Sequence, residues 1–146
     1  RAANLIIPQL PTKEANQSWA IYWNTDQYFY QPDAKVDRGV GLFARAGFSD
    51  GEANPIQSFA SVGIGGKGMI PGREDDTFGV GHFYSWIADN RITNELGFED
   101  GQGVEAYYNI AITPALSISP DIQWLNPSQK KIESSWLPGV RLYSAF

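Results

Sequence analysis

At 146 residues the chain has the length of one compact domain, and 42% hydrophobic against 18% charged residues excludes a disordered polymer. There is no cysteine, so disulfides and thiolate metal sites are excluded. A net charge of -5 argues against a nucleic-acid partner, which would favour a basic surface. No stretch approaches the roughly eighteen apolar residues of a spanning helix, since runs such as Leu5-Ile6-Ile7 are broken at once, here by Pro8. No basic, apolar-centred leader opens the chain, which begins as a mature protein or a fragment would. Five Trp, seven Tyr and eight Phe suit either the aromatic girdles of a membrane barrel or an aromatic-rich soluble core.

Residues 1–16 carry Pro8 and Pro11 and read as a loop. A first strand is expected near 18–30, with Trp19, Ile21 and Trp23 on one face and Tyr22, Asn24 and Asp26 on the other. Gln31-Pro32-Asp33 turns the chain. The second strand, near 38–48, sets Val40, Leu42, Ala44, Ala46 and Phe48 against Phe43 and Arg45. A polar loop at 49–56 leads to a third strand near 57–68, where Ala60, Val62 and Ile64 oppose Ser61, Gly63 and Lys67. After a turn at 69–76, the fourth strand, near 77–87, alternates Phe78, Val80, His82, Tyr84 and Trp86. The longest polar stretch, 88–102, reads as a loop, because helix signals are almost absent from the chain. The fifth strand, near 103–113, is joined by Pro114-Ala115 alone to a sixth, where Leu116, Ile118, Ile122 and Trp124 oppose Ser117, Ser119, Asp121 and Gln123. A loop at 126–136 precedes the last strand, with Val140, Leu142, Ser144 and Phe146 facing away from Arg141, Tyr143 and Ala145.

Seven alternating stretches of about ten residues define an all-β fold, an antiparallel transmembrane β-barrel wall with one greasy and one wet side. With the carboxy-terminus on the periplasmic side, 49–56, 88–102 and 126–136 fall outside and the Pro114 turn inside. A soluble lectin-like β-sandwich is the competing architecture.

Several ordered motifs then carry a resemblance. They are Gly41-Leu42-Phe43-Ala44-Arg45-Ala46-Gly47, Asn54-Pro55-Ile56, Gly65-Gly66-Lys67-Gly68-Met69-Ile70-Pro71-Gly72-Arg73 and Asp76-Thr77-Phe78-Gly79-Val80-Gly81. Gly103-Val104-Glu105-Ala106-Tyr107-Tyr108-Asn109-Ile110-Ala111-Ile112-Thr113-Pro114 and Ser119-Pro120-Asp121-Ile122-Gln123 continue them, and Ser18 to Asn24 with Asp26-Gln27-Tyr28 precede them. Together, over about residues 10–146, they resemble the carboxy-terminal part of the carbohydrate-selective porin family, the OprB type. The resemblance implies a 16-stranded barrel of the bacterial outer membrane, passing sugars passively, in contact with membrane lipids, as a monomer or a homo-oligomer. Sixteen strands need on the order of 300 residues, and seven is an odd number, so residues 1–146 are expected to be the carboxy-terminal portion of a single barrel domain. A structural barrel that anchors the envelope is the alternative within the membrane class.

Selecting an uncharged sugar requires hydrogen-bonding groups along water, with aromatic faces for the pyranose ring. The expected wet face supplies Tyr22, Asn24, Asp26, Arg45, Lys67, Glu105, Tyr107, Asn109, Asp121, Gln123 and Arg141. Arg45, Glu105 and Tyr107 are the favoured sugar contacts, and the mixed signs argue against an ion-selective ring. Gly63-Ile64-Gly65-Gly66-Lys67-Gly68 fits a dinucleotide pattern, but a turn follows instead of the helix N-terminus that phosphates require. His82 is the only histidine and lies on the apolar face, where an interfacial or subunit-contact role is expected. Asp75-Asp76 and Glu99-Asp100 are expected in solvated turns rather than at calcium. No metal, cofactor or enzymatic constellation is expected.

Overall fold

The computed structural model describes residues 17–33, 36–51 and 54–145. Seven strands follow one another in a single antiparallel sheet of order β1-β2-β3-β4-β5-β6-β7. They are β1 (Ala20–Tyr30), β2 (Gly39–Ser49), β3 (Ile56–Lys67), β4 (Thr77–Ile87), β5 (Gly101–Thr113), β6 (Leu116–Asn126) and β7 (Ser135–Ser144). Each strand pairs with its neighbour in sequence, as hairpin-linked strands do. A second packed sheet is absent among the described residues, so the β-sandwich alternative is set aside. The outer edges of β1 and β7 have no strand partner among the described residues, and the sheet is not closed.

The register assigns every strand residue to a side. One side carries Trp23, Leu42, Val62, Val80, Ile122, Trp136, Val140 and Leu142, all substantially exposed. The other carries all six charged side chains found within the strands: Asp26, Arg45, Lys67, Glu105, Asp121 and Arg141. Among the described residues the one buried apolar side chain is Ala88, so no dry centre holds this fold together. A water-soluble domain is stabilised mainly by such a centre. Here the ladder hydrogen bonds supply the order, and the apolar side is left uncovered by the described residues.

Several strand ends fall one or two residues from the expectation, and two connections differ in kind or extent. The stretch 88–102 is not all loop: it holds a short helix, α1 (Arg91–Leu96), and β5 already begins at Gly101. The Asn90 side chain accepts from the Thr93 amide at 3.0 Å while the Thr93 hydroxyl accepts from the Asn90 amide at 3.2 Å. This reciprocal cap satisfies donors that a helix start leaves open. Gly97, at φ 72°, ends the turn in the left-handed region that a side chain would strain. β6 runs to Asn126 and β7 starts at Ser135, because Trp124 and Leu125 find ladder partners in Trp136 and Ser135. The expected loop at 1–16 and the expected facing of Phe146 lie outside the described residues.

The two ends of the sheet differ. At the α1 end the connections are tied together: the Asn90 amide group donates to the Gly51 carbonyl at 3.2 Å and Lys130 N–H to the Gly97 carbonyl at 3.0 Å. At the opposite end Thr113 and Leu116 are joined by the tight Pro114-Ala115 turn, while the 31–38 and 68–76 connections are longer and meet through Arg38 and Glu74 at 3.8 Å.

Candidate functional site: the polar face of the sheet

All eleven residues expected on the wet face do share one side of the sheet, because the antiparallel register keeps paired residues on one side. Across the strands this side falls into rows. One row is Asn24, Arg45, Ser61, Phe83, Gly103, Leu125 and Ser135. The next toward the Pro114 end is Asp26, Phe43, Gly63, Gly81, Glu105, Gln123 and Leu137. The third is Tyr28, Gly41, Gly65, Gly79, Tyr107, Asp121 and Gly139.

Four of the eleven form one polar cluster over β5, β6 and β7. Arg141 donates through Nη2 to Glu105 Oε1 and through Nε to Asp121 Oδ2, the latter at 3.1 Å. Gln123 donates to the other Asp121 oxygen, also at 3.1 Å. The Asp121 side chain is only 4% exposed, whereas Arg141 is 56% exposed. The carboxylate is thus held under a guanidinium whose outer N–H groups still face solvent. Tyr107 is the row neighbour of Asp121, so its ring borders this cluster.

The remaining residues sit apart from it. Lys67 lies at the Pro114 end and pairs with Asp37 at 3.1 Å, to which the Tyr28 hydroxyl also donates. Lys67, as donor and as neighbouring charge, and then Tyr28 hold the Asp37 carboxyl below its usual range. Arg45 has no carboxylate partner among the described residues, and its guanidinium stands 5.9 Å from the Phe43 ring centroid. Tyr22, Asn24 and Asp26 lie on β1, the edge strand, and Asn109 faces Thr77 across β4 and β5. Three cations and three anions among the strand charges leave this face neutral as a whole.

Besides Phe43 and Tyr107, which alternation already sets on this face, the register brings further rings to it. Phe59 and Phe83 stack with centroids 6.2 Å apart, and Phe43 and Tyr28 join them on the polar side. For Phe59, Phe83 and Tyr28 the glycines paired beside them are the available sequence signal.

One carboxylate of each pair, Asp76 and Asp100, needs correction, since it is more than a solvated turn residue. Asp76 is 5% exposed and accepts four hydrogen bonds: from Arg73 Nε and Nη2 and the Tyr108 hydroxyl, all at 2.8 Å, and from Ala111 N–H at 2.9 Å. Burial alone would push its carboxyl up; Arg73, Ala111 and Tyr108 outweigh that and hold it below the ordinary value. Asp100 accepts from the Tyr84 hydroxyl at 3.0 Å and from Ile87 N–H at 2.9 Å. Each carboxylate fastens a connection to a strand. No cluster of three His, Asp or Glu side chains suited to a metal occurs among the described residues. The glycine-rich stretch from Gly63 lies in β3 and its following turn, not before a helix. His82 sits on the apolar side, with Nε2 3.2 Å from the Gln102 side-chain oxygen.

A single antiparallel sheet, greasy and exposed on one side and bearing every strand charge on the other, is the wall of a transmembrane β-barrel. The profile of the carbohydrate-selective porin, OprB family, matches residues 3–146, and the chain belongs to that family. A solved structure of OprB from Pseudomonas putida at high pH superposes with a TM-score of 0.76 at 21% identity. The match covers 86% of this chain and 34% of that one, so this chain spans about a third of the length of that structure. It supports the fold, in agreement with the all-β antiparallel barrel wall expected from alternation. No curated protein sequence matches the chain.

Proposed function

We propose that these seven strands are part of the wall of a bacterial outer-membrane porin through which neutral sugars diffuse passively. The observation that carries this is the segregation of all six strand charges to one face. That face is assigned to a water-filled lumen and the opposite one to lipid acyl chains. An open strand edge is not tolerated in hydrocarbon, so the edges of β1 and β7 call for further strands of the same barrel, with this chain as its carboxy-terminal portion. The α1 end, which holds the longest connection, is assigned to the outside, and the end with the tight Pro114 turn to the periplasm.

Passive sugar passage suits the chemistry of the polar face. Its balanced charges supply donors and acceptors without a ring of one sign to concentrate ions. Arg141 can offer N–H donors outward while Glu105 and Asp121 more than offset its charge, and Arg45 adds a second fork of donors. The test is liposome swelling with the full-length protein: glucose should enter faster than into protein-free vesicles. Entry no faster than that control would remove the proposal.

A further inference from the structure

The middle of the polar face is floored by glycine. Gly41 on β2, Gly63 and Gly65 on β3, and Gly79 and Gly81 on β4 are mutual neighbours across the ladders. Two rings lie over this floor from opposite sides. A Cβ built on Gly63 would run into the Phe43 ring, and one on Gly81 would come within 3.0 Å of its tip. β4 is two strands from β2, about 9.5 Å away. A side chain that reaches so far sideways lies along the sheet instead of standing off it. From β5, the Tyr107 ring covers Gly79, with its Cε1 2.6 Å from where a Cβ would be. The glycines are therefore the space the rings occupy: a larger residue at these positions would force the rings upright.

Two hollows, of about 370 and 180 Å3, meet at these rings, since Phe43 and Tyr107 line both. The larger is edged by Asp26, Lys67 and Thr77, the smaller by Ser61, Glu105 and Gln123. The Arg45 guanidinium stands 5.9 Å from the Phe43 ring centroid, at the limit of cation–π reach, and has no carboxylate partner among the described residues, so it adds donors to the rim. Rings laid on a bare backbone, rimmed by both donors and acceptors, match a molecule with one apolar C–H face and a polar circumference. Closed pyranoses have that shape, and open-chain polyols of the same carbon number do not hold it.

Resting on the porin reading above, we propose that Phe43 and Tyr107 form a stacking platform that makes this pore prefer pyranoses over acyclic polyols. The test uses the full-length protein in liposomes, with D-glucose and D-mannitol as permeants. The wild type should favour glucose. Phe43→Leu and Tyr107→Leu should each cut the glucose-to-mannitol rate ratio by about two- to tenfold, the size of one ring contact. Tyr107→Phe, which keeps the ring, should retain the ratio. An unchanged ratio in leucine variants that still pass mannitol overturns the platform while leaving the porin reading intact. If neither solute enters wild-type vesicles, the porin reading itself falls, and the platform with it. A second measurement needs no variant: saturation transfer from aromatic to sugar C–H protons in detergent-solubilised wild type. Transfer to glucose exceeding that to mannitol supports the platform, and its absence overturns it.

Discussion

Ile122 and Gln123 are consecutive residues of β6 that the register sends to opposite sides, so they give a direct measure of the sidedness of the wall. Ile122 is 47% exposed on the apolar side, between Ala106 and Pro138. It lies six residues beyond Leu116, which at 3.3 Å per residue and a 45° tilt is about 14 Å into a band of roughly 25 Å. That depth is near the middle, where an arginine costs about 2–4 kcal/mol on the lipid side of a barrel. Gln123, one residue on, faces Glu105, so an arginine there gains an opposite charge and costs about zero. We therefore expect Ile122→Arg to shift the folding equilibrium by about thirtyfold to several hundredfold, and Gln123→Arg hardly at all. Urea titration of the full-length protein folding into phospholipid vesicles, followed by tryptophan fluorescence, reads both. Equal losses for the two variants would refute the assignment of faces, and a larger loss for Gln123→Arg would reverse it.

Three further outcomes follow from named contacts. Asp76→Asn puts an amide donor where Arg73 or Tyr108 now donates, and should lower stability by about 2 kcal/mol in the same titration. Because the Asp76 carboxyl is held below its ordinary value of 3.8, its stabilisation is complete above that value and is lost as pH falls through the lower folded one. Acid titration of unfolding should show that limb in the wild type and lack it in Asp76→Asn. Arg141→Gln leaves Glu105 and Asp121 without their shared cation, so the reversal potential in a KCl gradient should move toward cation preference; no movement would place the cluster away from the ion path. Asn90→Ala removes the cap of α1 and should cost about 1 kcal/mol locally, seen as faster amide exchange at Thr93 with the strands unaffected.

Much of this wall is legible in the chain itself. A strand turns its side chains over with period two, so Trp23 and Asn24, or Ile122 and Gln123, are committed to opposite sides before any neighbour is known. Hence the face of the eleven polar residues named above could be read in advance, while the start of β7 could not. Ser135 and Trp136 are extended because Leu125 and Trp124 lie opposite them, and a ladder partner is not visible locally. The helix α1 carried a weaker sign, Asn90 three residues before Thr93, overshadowed by the polar composition around it.

What one strand says about another depends on register, and register depends on turns and bulges that alternation does not encode. The chain shows glycines at 41, 63, 65, 79 and 81, but only pairing makes them a single floor under Phe43 and Tyr107. Likewise Arg141 is 36 residues from Glu105 and 20 from Asp121, and meets both because three strands align. Sidedness is a property of the local backbone and was settled by the amino-acid order. Neighbourhood across the sheet is a property of the whole ladder, and only the tertiary structure decided it.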